Sequence, residues 1–311
     1  PLRASSTDIH PNAKWAQNAI TVAGGNGRGS ETNQLNRPFG LYVYDDQTIY
    51  VAVYAHHRIV EWKSGATNGK VAAGGNGSGN GAHQLNYPRD VIIDKESDSL
   101  IISDRDNKRV VRWPRRNGTR GETMISNISC GGLTMDDNGF LYVVDNEKHE
   151  VRRYKIGDTQ GTVVAGGNGQ GSRLDQLSKP TYVFVDRDHS VYVSDYENHR
   201  VMKWEEGAKQ GIVVAGGQEG SSLTQLWNPN GVVVDQLGTV YVADCGNNLI
   251  MRWPKGSTQG SVIVGGNGKG SQSNQLYRPV CLSFDRHGNL YVAEWGNNRV
   301  QKFNIETNSM R

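Results

Sequence analysis

Apolar residues come in short bursts separated by turn formers, and the bursts recur along the chain. One stretch shows the pattern fully: Gly231-Val-Val-Val-Asp235, Thr239-Val-Tyr-Val-Ala243, Leu249-Ile-Met-Arg-Trp253 and Ser261-Val-Ile-Val264. Runs this short, rich in β-branched and aromatic residues and bounded by Gly, Asp and Asn, predict β-strands. We label them a to d. Asp235 to Gly238 predicts a tight a–b hairpin, because Asp bonds its own backbone and Gly accepts positive φ. No stretch of 12 or more residues carries a helical 3.6-residue period.

The four-strand unit is itself repeated. A Tyr-Val-Ala/Ser/Val anchor falls at Tyr50, Tyr142, Tyr192, Tyr241 and Tyr291, with Ile101 in the equivalent slot, at intervals of 51, 41, 50, 49 and 50. A second anchor ends at Trp62, Trp113, Tyr154, Trp204, Trp253 and Phe303. Gly-Gly-Asn-Gly-x-Gly starts at Gly24, Gly74, Gly166 and Gly265, with a variant at Gly216, and each copy leads into Gln-Leu-x-x-Pro. One four-stranded sheet cannot bury both faces. Six of them around an axis bury each other and leave only short edges. The expected fold is therefore all-β: a six-bladed β-propeller of four-stranded blades.

The chain ends fit closure. The last copy stops after strand c at Phe303, while Trp15 to Ala23 reads as the end of a strand c and a complete strand d. An N-terminal strand completing the last blade would remove an exposed sheet edge. This predicts a tail over 1–14, one propeller over 15–304 and a second tail over 305–311. Blade 3 lacks the glycine-rich segment between Gly121 and Gly131, which notches one side of the ring.

The strings Pro-x-Gly-Val-x-Val-Asp, Tyr-Val-Ala-Asp and Asn-Asn/His-Arg-Val, clearest at Asn198-His199-Arg200-Val201 and Asn297-Asn298-Arg299-Val300, resemble the NHL repeat family of six-bladed propellers. The resemblance covers residues 15–303. It implies the fold but not one function, since that family includes RNA-binding and protein-binding modules, lyases and structural proteins. Its peptide-amidating lyases hold zinc through His residues converging on the channel. No His occupies the corresponding positions here, so that carry-over fails.

Residue types present in every copy are assigned to blade structure. The glycine-rich strings precede no helix, so they read as turns rather than phosphate cradles. Asp94, Asp136, Asp186, Asp235 and Asp285 each close a strand a and read as caps of the a–b turn. Asp104, Asp145, Asp195, Asp244 and Glu294 follow strand b, and Arg58, Arg109, Arg200 and Arg299 open strand c, so they read as braces of the b–c loop. His56 and His57 are neighbours on extended chain and point apart. No Ser/His/Asp or Cys/His triad can be assembled from spacing.

Departures from the repeat carry the functional expectation. In a propeller the d–a and b–c connections share one face. Near the channel on that face, the residues after the Pro slot and after strand b include Arg89, Asp90, Tyr182, Tyr54, Arg105, Tyr196 and Trp295. Together they predict a mixed aromatic and charged patch suited to a sugar, a peptide or a partner surface. The plain alternative is a water-filled channel with unrelated lining.

Composition narrows the field. Lys+Arg is 34 against Asp+Glu 31, a formal net charge of +3, too small to imply nucleic acid by itself. The basic string Arg112, Arg115, Arg116 and Arg120 has one interleaved aromatic, Trp113, and reads as a solvated loop. No apolar run nears the roughly 20 residues that span a bilayer. Three Cys are too few for a disulfide scaffold; a Cys245–Cys281 bridge and three thiols are equally compatible with the sequence. The chain begins at Pro1 rather than Met, and it carries glycosylation sequons at Asn76, Asn117 and Asn127. Together these point to an extracellular glycoprotein. No cofactor motif is present. The leading expectation is a non-catalytic interaction or structural propeller, with a protein partner or its own copies as partner and multimers or filaments as one outcome. The alternatives are a carbohydrate- or peptide-binding module using the patch, and a metal-assisted lyase or hydrolase.

Overall fold

The computed structural model describes residues 9–307. Six four-stranded antiparallel sheets form the blades, each running a-b-c-d from the axis outward. Their inner strands are Pro38–Val43, Pro88–Asp94, Cys130–Met135, Val183–Val185, Pro229–Val234 and Pro279–Phe284. In blade 5, strands b to d are Val240–Asp244, Leu249–Trp253 and Ser261–Gly265, within a residue or two of the sequence expectation.

Blade 6 closes as expected. Its fourth strand is Ile20–Gly24, paired antiparallel with Arg299–Phe303 through Ile20↔Lys302, Thr21↔Gln301, Ala23↔Val300 and Gly24↔Arg299. Thr21 Oγ1 adds a 2.6 Å hydrogen bond to Gln301. Trp15 lies outside this strand. Its indole donates to the Gly288 carbonyl at 2.9 Å, and its ring meets Tyr241 edge-on at 6.1 Å, filling the layer between blades 5 and 6.

The expected tails are partly structured. Ile9 and Ala13 are buried, and the Glu306 N–H donates to the Lys14 carbonyl at 2.8 Å. Apolar contacts and backbone pairing between the two ends thus extend the closure beyond 15–304. Residues 1–8 and 308–311 of those tails lie outside the described residues.

The glycine-rich loop is a turn knitted by its own amides. In the loop before blade 2, Asn76 Nδ2 donates to the Gly74 and His83 carbonyls at 3.3 and 2.8 Å, and Gln84 Nε2 donates to the Asn76 carbonyl at 3.0 Å. Leu85 then points into the core and is fully buried. Gly74 has φ 69°, and a Cβ there would lie 2.5 Å from the His57 carbonyl. Only glycine fits that approach.

The carboxylates serve as expected. Asp235 Oδ1 accepts the Leu237 and Thr239 N–H groups, and Tyr241 donates to its other oxygen at 3.2 Å. Arg109, Arg200 and Arg299 pair with Asp104, Asp195 and Glu294 at 2.7, 2.8 and 2.5 Å. Each also reaches carbonyls of the glycine-rich loop, which joins the b–c and d–a connections on one face. Three blades break the pair, and in blade 3 Asp145 faces Glu150. Blade 1 has Arg58 but Val53 opposite it, and Arg58 Nε has no partner. Blade 5 has Asp244 but Leu249 opposite it.

The only helical pieces among the described residues are single 3-10 turns in four b–c loops, such as Tyr54–His56 and Arg105–Asn107. Each ends on a left-handed residue, and in blades 1 and 4 that residue is His57 or His199. These His residues couple blades: His57, His149 and His199 Nδ1 accept the N–H of Tyr87, Lys179 and Asn228 in the next blade, at 3.0, 2.9 and 3.1 Å. Asn298 and Asn248 do the same for Arg37 and Arg278.

Candidate functional site

Where the inner strands begin, they converge on an upper-face cavity of about 480 Å3. Arg89, Arg105, Tyr196 and Trp295 of the expected patch all line it. Tyr54 stands behind the wall. Its ring lies 5.2 Å from Trp295, 5.8 Å from Phe39 and 4.7 Å from Tyr87, so it buttresses the aromatic side.

Two residues do not belong to the patch. Asp90 and Tyr182 are buried. Asp90 accepts the Leu133 N–H of blade 3 at 2.8 Å, and Tyr182 packs against Gly132 of the same blade. The reason is strand alternation. The first residue after the Pro slot faces the channel, as Arg89, Thr181, Asn230 and Val280 do. The second turns sideways into the layer between blades. Counting both as channel residues ignored the two-residue period.

Sequence reasoning missed Lys179 and Arg278, which also line the cavity. Each precedes a Pro with φ near 50°. Lys and Arg are not typical at positive φ, so no residue type signalled the turn that aims them inward. Glu197 is the cavity's carboxylate. It is engaged, accepting from the Ser178 hydroxyl at 2.6 Å and the Gln170 amide at 3.2 Å.

Arg89 lies over the Phe39 ring at 4.2 Å, a cation–π contact. Its Nε has no hydrogen-bond partner, and neither has that of Arg105. Burial holds the Arg89 guanidinium below its ordinary range, and the like charge of Arg105 lowers it further. Cys245 also lines the cavity, but burial pushes its thiol up to about 11, so it stays protonated at neutral pH. A protonated thiol is a poor nucleophile.

No disulfide joins Cys245 and Cys281; both are buried thiols. The Cys281 sulfur faces the Leu41 carbonyl of blade 1 at 3.9 Å, whereas Cys245 belongs to blade 5, on the other side of blade 6. Among the described residues, no three His, Cys, Asp or Glu side chains gather as a metal site. No helix of the described residues is long and apolar enough to cross a membrane. Wider grooves lie at the rim, one of about 730 Å3 beside Val163 and Lys209. Similar grooves recur between blades 4 and 5 and between blades 1 and 2, so they follow from blade geometry.

The sequons separate in space. Asn127 follows strand d of blade 2 (Glu122–Ser126) on the upper face, beside the notch, where Ile128 replaces a whole glycine-rich loop. Asn117 sits in the c–d turn and therefore on the opposite face, away from the notch. Both are exposed.

The NHL repeat profile matches residues 226–252 and 276–303, within blades 5 and 6 and the loops leading into them. The chain is thus a six-bladed β-propeller with NHL repeats matched in its last two blades. No curated protein matches it by sequence. Among solved structures, a protein of unknown function from Bacteroides thetaiotaomicron is similar at TM-score 0.74 and 16% identity, over 96% of this chain and 84% of that one. An auxiliary nutrient binding protein from the same organism is similar at TM-score 0.67 and 15% identity, over 94% and 77%. A gluconolactonase from Xanthomonas campestris is similar at TM-score 0.65 and 13% identity, over 96% and 100%. At such identities the likeness is one of fold, and the functions of these neighbours diverge.

Proposed function

We propose that this propeller is a non-catalytic binding module whose ligand, a sugar or a short peptide, enters the upper-face cavity. The observation that carries this reading is convergence: Arg89 and Arg105 of blade 2, Tyr196 of blade 4 and Trp295 of blade 6 line one concavity. Its volume falls within the roughly 300–1,000 Å3 of small-molecule sites. Its lining holds no His and one engaged carboxylate, which favours holding a ligand over proton transfer. Glycan and peptide arrays test it. A hit should quench tryptophan fluorescence, and Trp295→Ala should weaken it at least about tenfold, the scale of a buried aromatic anchor. Arrays without a hit, or a hit indifferent to Trp295→Ala, would reject the cavity.

A second reading, self-association in an extracellular setting, draws on the rim. The outermost strands expose Ile20, Val71, Val163 and Ile212 along unpaired edges, and such edges template pairing with another copy. Native material should then be multimeric by light scattering and carry glycans at Asn117 and Asn127. Asn76 should stay bare, because its amide already bonds the Gly74 and His83 carbonyls. A bare monomer at high concentration removes this reading.

A further inference from the structure

We propose that the upper-face cavity is an anion subsite for a small ring-bearing carboxylate, an acidic sugar of the uronate type, with its carboxylate held by Arg89 and Arg105. This rests on the binding reading above and names its ligand class.

The charges are the first ground. Four cations line the cavity, namely Arg89, Arg105, Lys179 and Arg278, against the single carboxylate of Glu197. The whole chain has a formal net charge of only +3, so the positive charge is gathered here. Glu197 does not neutralise the pair, since its carboxylate is taken by Ser178 and Gln170. Among the described residues no carboxylate forms an ion pair with Arg89, and the contact of Arg105 with Asp106 is long, at 3.8 Å.

The second ground is contrast within the molecule. Arg109, Arg200 and Arg299 each spend their donors on a carboxylate and on loop carbonyls. Arg89 and Arg105 keep buried Nε groups without partners, and unlike Arg58 and Arg112, which share that feature, they line the cavity. Unpartnered polar groups and like charges held together weaken a fold. Retained at the mouth of a cavity, they mark a place where a ligand supplies the missing partner.

The third ground is shape and chemistry. A guanidinium fork matches a carboxylate in two parallel hydrogen bonds. Stacking on Phe39 at 4.2 Å fixes the Arg89 guanidinium in the cavity wall. Tyr196 and Trp295 offer apolar walls to a ring, and Asn230 Oδ1, which has no hydrogen-bond partner, offers an acceptor to a sugar hydroxyl. A cavity of about 480 Å3 admits a single sugar ring with room for water.

Isothermal titration of the full chain with D-glucuronate, D-glucose and inorganic phosphate tests this at low and high salt. Glucuronate should bind, glucose should bind at least about tenfold more weakly, and salt should weaken glucuronate. Arg89→Met and Arg105→Met should each cost about tenfold or more in glucuronate affinity, while the unliganded variants melt no lower than the parent. A melting temperature that drops in both variants would overturn the claim that these cations are held against the fold's stability. Glucose binding as well as glucuronate, or an array ligand that depends on Trp295 but on neither Arg, would sink the anion subsite and leave the cavity reading standing. Phosphate binding as well as glucuronate would overturn the ring-bearing carboxylate class. Failure of every probe and of the arrays would remove both readings.

Discussion

Replacing Leu249 with Arg should stabilise the protein at pH 8 and leave it nearly unchanged at pH 5. In blades 2, 4 and 6 the carboxylate ending strand b meets the Arg opening strand c within 2.8 Å. Asp244 of blade 5 has no such cation. It accepts from the Trp227 N–H and the Asn247 amide, both at 2.7 Å, and burial still pushes its carboxyl up to about 7. Against the usual 3.8, that is roughly three units, so keeping Asp244 ionised costs on the order of 4 kcal/mol. A raised carboxyl pKa means that the fold holds a proton the unfolded chain has already lost. The group's contribution therefore declines as pH rises from about 4 to 7 and is flat above that. An Arg at 249 would face Asp244 and the carbonyls of Ser221, Ser222 and Gln225, the counterparts of those that Arg200 holds in blade 4. Desolvating the guanidinium takes back part of the gain. The net should be about 1–2 kcal/mol at pH 8, or roughly 2–6 °C in melting temperature for a domain of this size. At pH 5, where Asp244 is already protonated, it should be under about 0.5 kcal/mol. Thermal and urea unfolding of both proteins at the two pH values is the assay. An equal gain at both, or a loss at pH 8, would refute the reasoning that the uncompensated Asp244 carboxylate costs blade 5 stability.

The His residues that couple blades predict the opposite pH trend. Each Nδ1 accepts a backbone N–H, so each ring must carry no proton there, and burial pulls His57 and His149 below their ordinary value of 6.5. A lowered His pKa means that the fold refuses a proton the unfolded chain takes up. This contribution is complete above pH 6.5 and is lost as pH falls below it. Asn248 and Asn298 fill the same slot elsewhere, and Asn tolerates its left-handed backbone. The double variant His57→Asn, His149→Asn should therefore fold, melt like the parent at pH 8 and lose less between pH 7 and 5. Identical pH profiles for variant and parent would rule out the His coupling.

The chain's own pattern determined the blades. Strand c of blade 5 begins and ends where the apolar run does, and the N-terminal strand was visible as the missing fourth strand of blade 6, because period-two alternation and turn formers are local properties. Comparison of the six copies also separated structure from difference: residue types that recur in most blades, such as Asp235 and Arg200, proved to hold turns and loops. The cavity was only half legible. Arg89 and Trp295 were found by their place after a repeat landmark, but Asp90 and Tyr182 were misassigned because successive residues of a strand face different surroundings. Lys179 and Arg278 were invisible because a left-handed turn before proline, not residue type, aims them at the axis. Which side chains share the cavity, and that two of them stand there without a counter-charge, depends on how six blades close around an axis. That closure brings together residues as distant in sequence as Phe39 and Trp295, and no local rule of the chain contains it.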